Sequence, residues 1–132
     1  MKYLILILIP FLAFSQQDVP EEYWIDDSNF EKIIHANDAF DDDQQETIMV
    51  EFWAEFNEEN CFAEWDKIEN AKYYRVDIAK APQAKKKYKV RMAPTIIIFK
   101  GGVKEVTFKA GLDLVLPADL KEIQESINEV NT

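Results

Sequence analysis

Two short runs set the limits on how this chain can fold. Ile48-Met49-Val50-Glu51-Phe52-Trp53 and Thr95-Ile96-Ile97-Ile98-Phe99 are rich in β-branched and aromatic residues and mostly apolar on both faces. That is the pattern of strands covered on two sides, not of strands with one wet face. A sheet built on them needs cover on both surfaces, and the flanking segments read as helices and strands in alternation. Asp26-Asp27-Ser28-Asn29 forms an N-cap cluster ahead of Phe30, Ile33 and Ile34, a short amphipathic helix. Asn57-Glu58-Glu59 opens a second helix, with Asn57 as cap, both acids against the positive helix end, and Phe62, Trp65 and Ile68 as the inner face. Lys72 to Ile78 returns to strand, and Gln83 to Tyr88 is a short lysine-rich helix. Gly101-Gly102, between the Thr95 run and Val103 to Lys109, marks a hairpin. Pro117 at a first helical turn precedes Leu120, Ile123, Ile127 and Val130, spaced as one buried stripe. Tyr23 to Ile25 is a candidate further strand. The order predicts an α/β domain: a mixed central β-sheet with helices on both faces and no internal repeat.

The chain has 132 residues, room for one such domain, and a formal charge of −10. Phosphate-backbone partners depend on an excess of Lys and Arg, so no nucleic-acid partner is expected. The single cysteine, Cys61, and the single histidine, His35, leave no internal disulfide, no Cys-x-x-Cys couple, no thiolate zinc cage and no imidazole pair. Asp38, Asp41, Asp42, Asp43 and Glu46 crowd a loop from Asn37 to Glu46, but without the Asp-x-Asp-x-Asp-Gly spacing and closing Glu that calcium requires. No metal and no cofactor are expected.

The first residues do not belong to the domain. Lys2 precedes an uncharged apolar stretch from Tyr3 to Phe14, and Ala13-Phe14-Ser15 places small residues where a leader is cut. The stretch contains Pro10 and falls short of the roughly twenty apolar residues that span a bilayer. The expectation is a signal peptide over 1–15, a flexible arm over 16–22, and a domain over 23–132. The product would be exported, periplasmic or extracellular, with no membrane attachment once the leader is removed.

Several segments are similar to a known family. Val50-Glu51-Phe52-Trp53-Ala54-Glu55-Phe56 resembles the strand that delivers the active site in thioredoxins. Val76-Asp77-Ile78 through Val90-Arg91 resembles their middle strand and helix, and Ala93-Pro94-Thr95 their cis-proline loop. Lys100-Gly101-Gly102 and Gly111 fit the same template, so the resemblance runs from about Trp24 to Val130. It implies a thioredoxin-like fold with a cis-Pro loop before Thr95. Against the family pattern Trp-Cys-Gly-Pro-Cys this chain has Phe56-Asn57-Glu58-Glu59-Asn60, with asparagine at both cysteine positions and Cys61 one place beyond. The stretch from there to Pro94 is also shorter than the family's by roughly two helical turns.

The resemblance places Glu51 where thioredoxins bury an acid beneath the redox pair, and Arg75 where the partnering lysine lies. Without a dithiol to serve, Glu51 and Arg75 are expected to form a structural buried pair across adjacent strands. The expected binding groove is lined by Phe56, Asn57, Met92, Ala93, Pro94, Ala110 and Gly111, where thioredoxins lay an extended peptide beside the cis-proline by backbone pairing. Lys80, Lys85, Lys86, Lys87, Lys89 and Arg91 border one side of that loop, and Glu58 and Glu59 the other. Cys61 is expected one turn into the helix, among eleven acids and no Lys or Arg between Asn37 and Asp66, a setting that disfavours its thiolate. Two functions follow from the resemblance. The first is a redox-inactive protein-binding or chaperone-like module acting on polypeptide segments of envelope or secreted proteins. The second is a monothiol thiol-disulfide oxidoreductase in which Cys61 forms mixed disulfides; Cys61 could also link a homodimer.

Overall fold

A computed structural model describes residues 19–35 and 46–132. The expected leader at 1–15, residues 16–18 of the expected arm and residues 36–45, with most of the acidic loop, lie outside the described residues. Five strands form one sheet: β1 (Trp24–Ile25), β2 (Thr47–Trp53), β3 (Lys72–Asp77), β4 (Thr95–Lys100) and β5 (Val103–Lys109). Their order is β1-β3-β2-β4-β5, with β1, β3 and β2 parallel and β4 and β5 antiparallel. The helices are α1 (Phe30–Ile34), α2 (Pro82–Lys87) and α3 (Leu120–Val130).

The two apolar runs are the central strands, and alternation divides their side chains between two cores. Ile48, Val50 and Phe52 face α1 and α2 with Phe30, Ile34, Ala84, Ile97 and Phe99. Met49 joins Tyr73, Ile96, Ile98, Ile123 and Ile127 against α3. Phe30 is the hub of the first core, its ring 5.7 Å from Phe52, 5.4 Å from Tyr88 and 6.1 Å from Phe99. Asp27 caps at a distance: its carboxylate accepts from Gln83 N and Ala84 N, at 2.8 and 2.9 Å, satisfying the start of α2 rather than of α1.

Three local expectations need correction. Pro117 lies ahead of α3, not in its first turn; the helix begins after Asp119, whose side chain accepts from Glu122 N at 3.0 Å in a reciprocal capping box. Within the arm, Val19 is buried and its carbonyl accepts from the Trp24 indole at 3.0 Å, while Glu21–Tyr23 form a 3₁₀ turn. The largest departure is the helix read from Asn57. The chain makes 3₁₀ turns over Glu55–Asn60 and Trp65–Lys67, with Asn57 at φ −125°, ψ 29° and Cys61 extended at φ −67°, ψ 164°. Phe62, Trp65 and Ile68 still pack on the α3-side core, without an α-helix to carry them.

The hairpin turn uses both glycines in the left-handed region, Gly101 at φ 59° and Gly102 at φ 77°. A Cβ on Gly102 would also run into the exposed His35 ring, which would have to swing aside. Gly102→Ala is expected to destabilise the domain by about 1–2 kcal/mol from the backbone conformation alone. Displacement of the His35 ring adds to this, and urea unfolding measures the sum.

Candidate functional site

The end of the sheet where β2 finishes brings together Asn57, the Ala93-Pro94 loop and the loop after β5. The Ala93–Pro94 peptide bond is cis. Asn57 is buried, and its Nδ2 donates to two carbonyls, Ala93 at 2.8 Å and Leu114 at 2.9 Å. Its Oδ1 accepts from Asn60 Nδ2 at 2.8 Å. Asn57 is therefore not a helix cap; its amide fastens the segment after β2 to the proline loop and to the segment after β5. Ala110 N donates to Pro94 O at 3.1 Å, closing the same region from the β5 side.

The groove residues read from the sequence separate into a floor and a rim. Asn57, Ala93, Pro94 and Ala110 are buried, Met92 is half-buried, and Phe56 and Gly111 are exposed. Ala93's carbonyl, a backbone acceptor within the expected groove, is occupied by Asn57. Two exposed apolar side chains stand near it, Phe56 at 73% exposure and Leu112, next to Gly111 in the chain, at 91%, among the exposed acids Glu55, Glu58, Glu59 and Asp113.

Behind this end lies a charged network. Glu51 and Arg75 stand opposite each other in register on β2 and β3, with Arg75 Nη2 3.1 Å from Glu51 Oε1. Both are buried, at 0% and 1% exposure. Tyr73, on the same face of β3, donates to Glu51 Oε1 at 2.5 Å and accepts from Arg75 Nε at 2.7 Å. Phe62 supplies its backbone on both sides: its N–H donates to Glu51 Oε2 at 2.8 Å and its carbonyl accepts from Arg75 Nη2 at 3.1 Å. Burial pushes the Glu51 carboxyl above its ordinary value, with Arg75, Tyr73 and Phe62 pulling the other way. Burial alone would lower Arg75, but Glu51 and Tyr73 outweigh it and hold the guanidinium charged. Tyr73 entered no sequence argument; its signal was position, two residues before Arg75 on one strand face.

Cys61 is half-buried and belongs to this network, not to the first turn of a helix. Burial raises its thiol pKa, as do Glu51 and Glu58, and the neighbouring Arg75 opposes them by charge and hydrogen bond without reversing the direction. The absence of a nearby cation, inferred from sequence neighbours, is thus corrected: Arg75 arrives from another strand. Alkylation of the intact protein by iodoacetamide is expected to show Cys61 titrating above the ordinary thiol value of 9.0. A thiolate formed near neutral pH would contradict that placement.

A mixed sheet of this order, with a cis-proline loop facing the segment after β2, defines the thioredoxin-like class. The thioredoxin family model matches residues 23–122, and the chain belongs to that family as a member with a single cysteine and no Cys-x-x-Cys motif. Solved structures agree on the fold. The Malassezia sympodialis thioredoxin Mala s 13 is 21% identical, with a TM-score of 0.60 over 83% of this chain and 92% of that one. Thioredoxin f from spinach chloroplast is 11% identical, with a TM-score of 0.62 over 83% and 92%. A mutant thioredoxin from Halobacterium salinarum is 16% identical, with a TM-score of 0.61 over 83% and 89%. No curated protein matches the sequence.

Proposed function

We propose that this chain is an exported thioredoxin-fold protein that has given up thiol-disulfide exchange and binds extended segments of envelope or secreted polypeptides. The observation that carries this reading is Asn57. At the position of the family's first redox cysteine stands an amide that spends both its donors on neighbouring carbonyls, so the position is structural. Cys61 does not take over the role, because burial and two carboxylates disfavour its thiolate. Phe56 precedes Asn57 and Leu112 lies two residues before Leu114, so the two exposed apolar side chains sit on segments that this amide ties together. They supply the contact surface, at the rim rather than against the closed floor.

Insulin reduction in dithiothreitol is expected to run at the rate of the reductant alone, and turnover above it would restore the monothiol reading. Binding to immobilised extended peptides is expected to weaken at least tenfold in Phe56→Ser and Leu112→Ser, with unchanged melting temperature. Equal binding by those variants would remove the rim from the proposal. Export predicts a mature chain starting at Gln16 in envelope or culture-fluid fractions, read by mass spectrometry; a chain retaining Met1 would overturn it.

A further inference from the structure

The sheet has two open edges of unequal length: β1 offers two residues, Trp24–Ile25, and β5 offers seven, Val103–Lys109. An edge strand presents backbone N–H and C=O groups that no neighbouring strand uses. Which groups these are on β5 follows from one bond, Ala110 N donating to Pro94 O, beside the opposed pair Thr95 and Lys109. In an antiparallel ladder that bond turns the backbone of Phe108 and Val106 toward β4, and that of Thr107 and Lys109 outward. The register shifts by one residue beyond Val106, a bulge that bends the start of the strand and leaves 106–109 as its regular outer stretch. The side chains alternate as well. Val106 and Phe108 are half-buried on the α3-side core, where a recess of about 460 Å³ opens between Phe108 and α3. Glu105, Thr107 and Lys109 alternate with them toward the other face. Among the described residues, neither Glu105 nor Lys109 has an ion-pair partner.

We propose that β5 pairs antiparallel with β5 of a second copy of this chain, about a two-fold axis through Thr107. Outward backbone groups must meet outward groups, so Thr107 faces either Thr107 or Lys109 of the copy, and the side chains decide between these registers. With Thr107 opposite itself, Glu105 stands opposite the copy's Lys109 and Lys109 opposite the copy's Glu105, while Val106 and Phe108 meet in both directions on the other face. Opposite charges, paired threonines and an aromatic against a β-branched residue are the cross-strand pairs that stabilise sheets. The other register sets Glu105 opposite Gly111 and Lys109 opposite Thr107, and pairs no charge. The strand carries Lys104 and Lys109 against Glu105, so the acid excess of the chain does not fall on this edge. Both copies use the same strand, which leaves no β5 edge open, and the assembly closes at two. Antiparallel pairing also points the two Asn57 and Pro94 ends in opposite directions. On the polypeptide-binding reading, the dimer therefore engages two separate segments and does not clamp one.

Sedimentation equilibrium tests this on the protein as isolated from its own cells, with reductant present and at about 0.15 M salt, where a Debye length of about 8 Å screens the repulsion between two acid-rich copies. The average mass is expected to rise from monomer toward dimer between about 1 μM and about 1 mM, the range of a small interface. Glu105→Lys and Lys109→Glu each set like charges opposite one another on both sides of the axis, and each should weaken the dimer roughly tenfold or more. The double variant carrying both changes should return it to within about threefold of the wild type. All three variants should melt as the wild type does where every sample is monomeric, since both side chains are exposed. Thr107→Pro removes the outward N–H without costing a bond to β4, and should abolish association. A chain that stays monomeric to about 1 mM overturns the proposal. So does a dimer that forms only without reductant, which would be joined through Cys61. Weakening by the single changes without recovery in the double variant overturns the register, and mass beyond the dimer overturns the closure. An added extended peptide that shifts the Thr107 and Lys109 amide signals of a monomeric protein would make the occupant another polypeptide, and overturns the second copy.

Discussion

Arg75→Met is expected to lower the unfolding free energy by about 3–5 kcal/mol, because it leaves Glu51 buried at 0% exposure without its cation. It also strips partners from the Tyr73 hydroxyl and the Phe62 carbonyl, so the loss is not confined to one bond. Glu51→Leu combined with Arg75→Met should be milder than Arg75→Met alone. Both buried charges are then gone, and the remaining penalty is that of neutral groups, Tyr73 and the Phe62 backbone. Urea denaturation of the two variants decides the matter; a double variant no more stable than the single would mean the ion pair is not what holds this site. The pH dependence has a definite sign. Glu51's folded pKa is raised above its unfolded value, so its contribution is fully present below about pH 4.5 and is lost as pH rises through the folded value. The stability of the wild type relative to Glu51→Gln should therefore fall across that window and level off above it.

The same network explains why the sheet could be read from the sequence and the segment after it could not. The Ile48 and Thr95 runs carry their burial in their composition, and the hairpin carries its turn in Gly101-Gly102; both signals are local, and the strands and turn follow them. Asn57-Glu58-Glu59 followed by Phe62, Trp65 and Ile68 also has the local signature of a helix, a cap, two acids and apolar residues three apart. What overrides it is not local. The Phe62 N–H is bound by Glu51 Oε2 and the Phe62 carbonyl by Arg75 Nη2, two buried charged groups on β2 and β3 beneath that segment. A residue that gives both backbone groups to buried charges leaves the i to i−4 ladder, and Cys61 is extended in consequence. The pairing of Glu51 with Arg75 was legible only through the family template. The tie from Asn57 to Leu114 spans 57 positions and leaves no mark on either stretch.

Asn57→Ala should cost about 2–4 kcal/mol, since it leaves the buried Ala93 carbonyl and the half-buried Leu114 carbonyl without their shared donor. Leu114 sits at φ 61°, so its loop depends on outside bonds for its shape. Hydrogen exchange at the amides of Leu114 and Val115 should accelerate in this variant more than exchange in β4. Asn57→Asp provides the isosteric control. It keeps the size of the side chain but turns a donor into an acceptor facing two carbonyls, and it should be at least as destabilising as alanine. If Asn57→Asp were tolerated, the amide bonds would not be what fastens the two loops. Placing cysteines at Asn57 and Asn60 should not return insulin reduction. In a thioredoxin, a low thiol pKa requires the nucleophile at the start of a continuous helix, and here Asn57 breaks helical geometry within its own turn while Cys61 leaves it altogether. Restoring the two residues without the helix would add thiols to a site that has no field to ionise them.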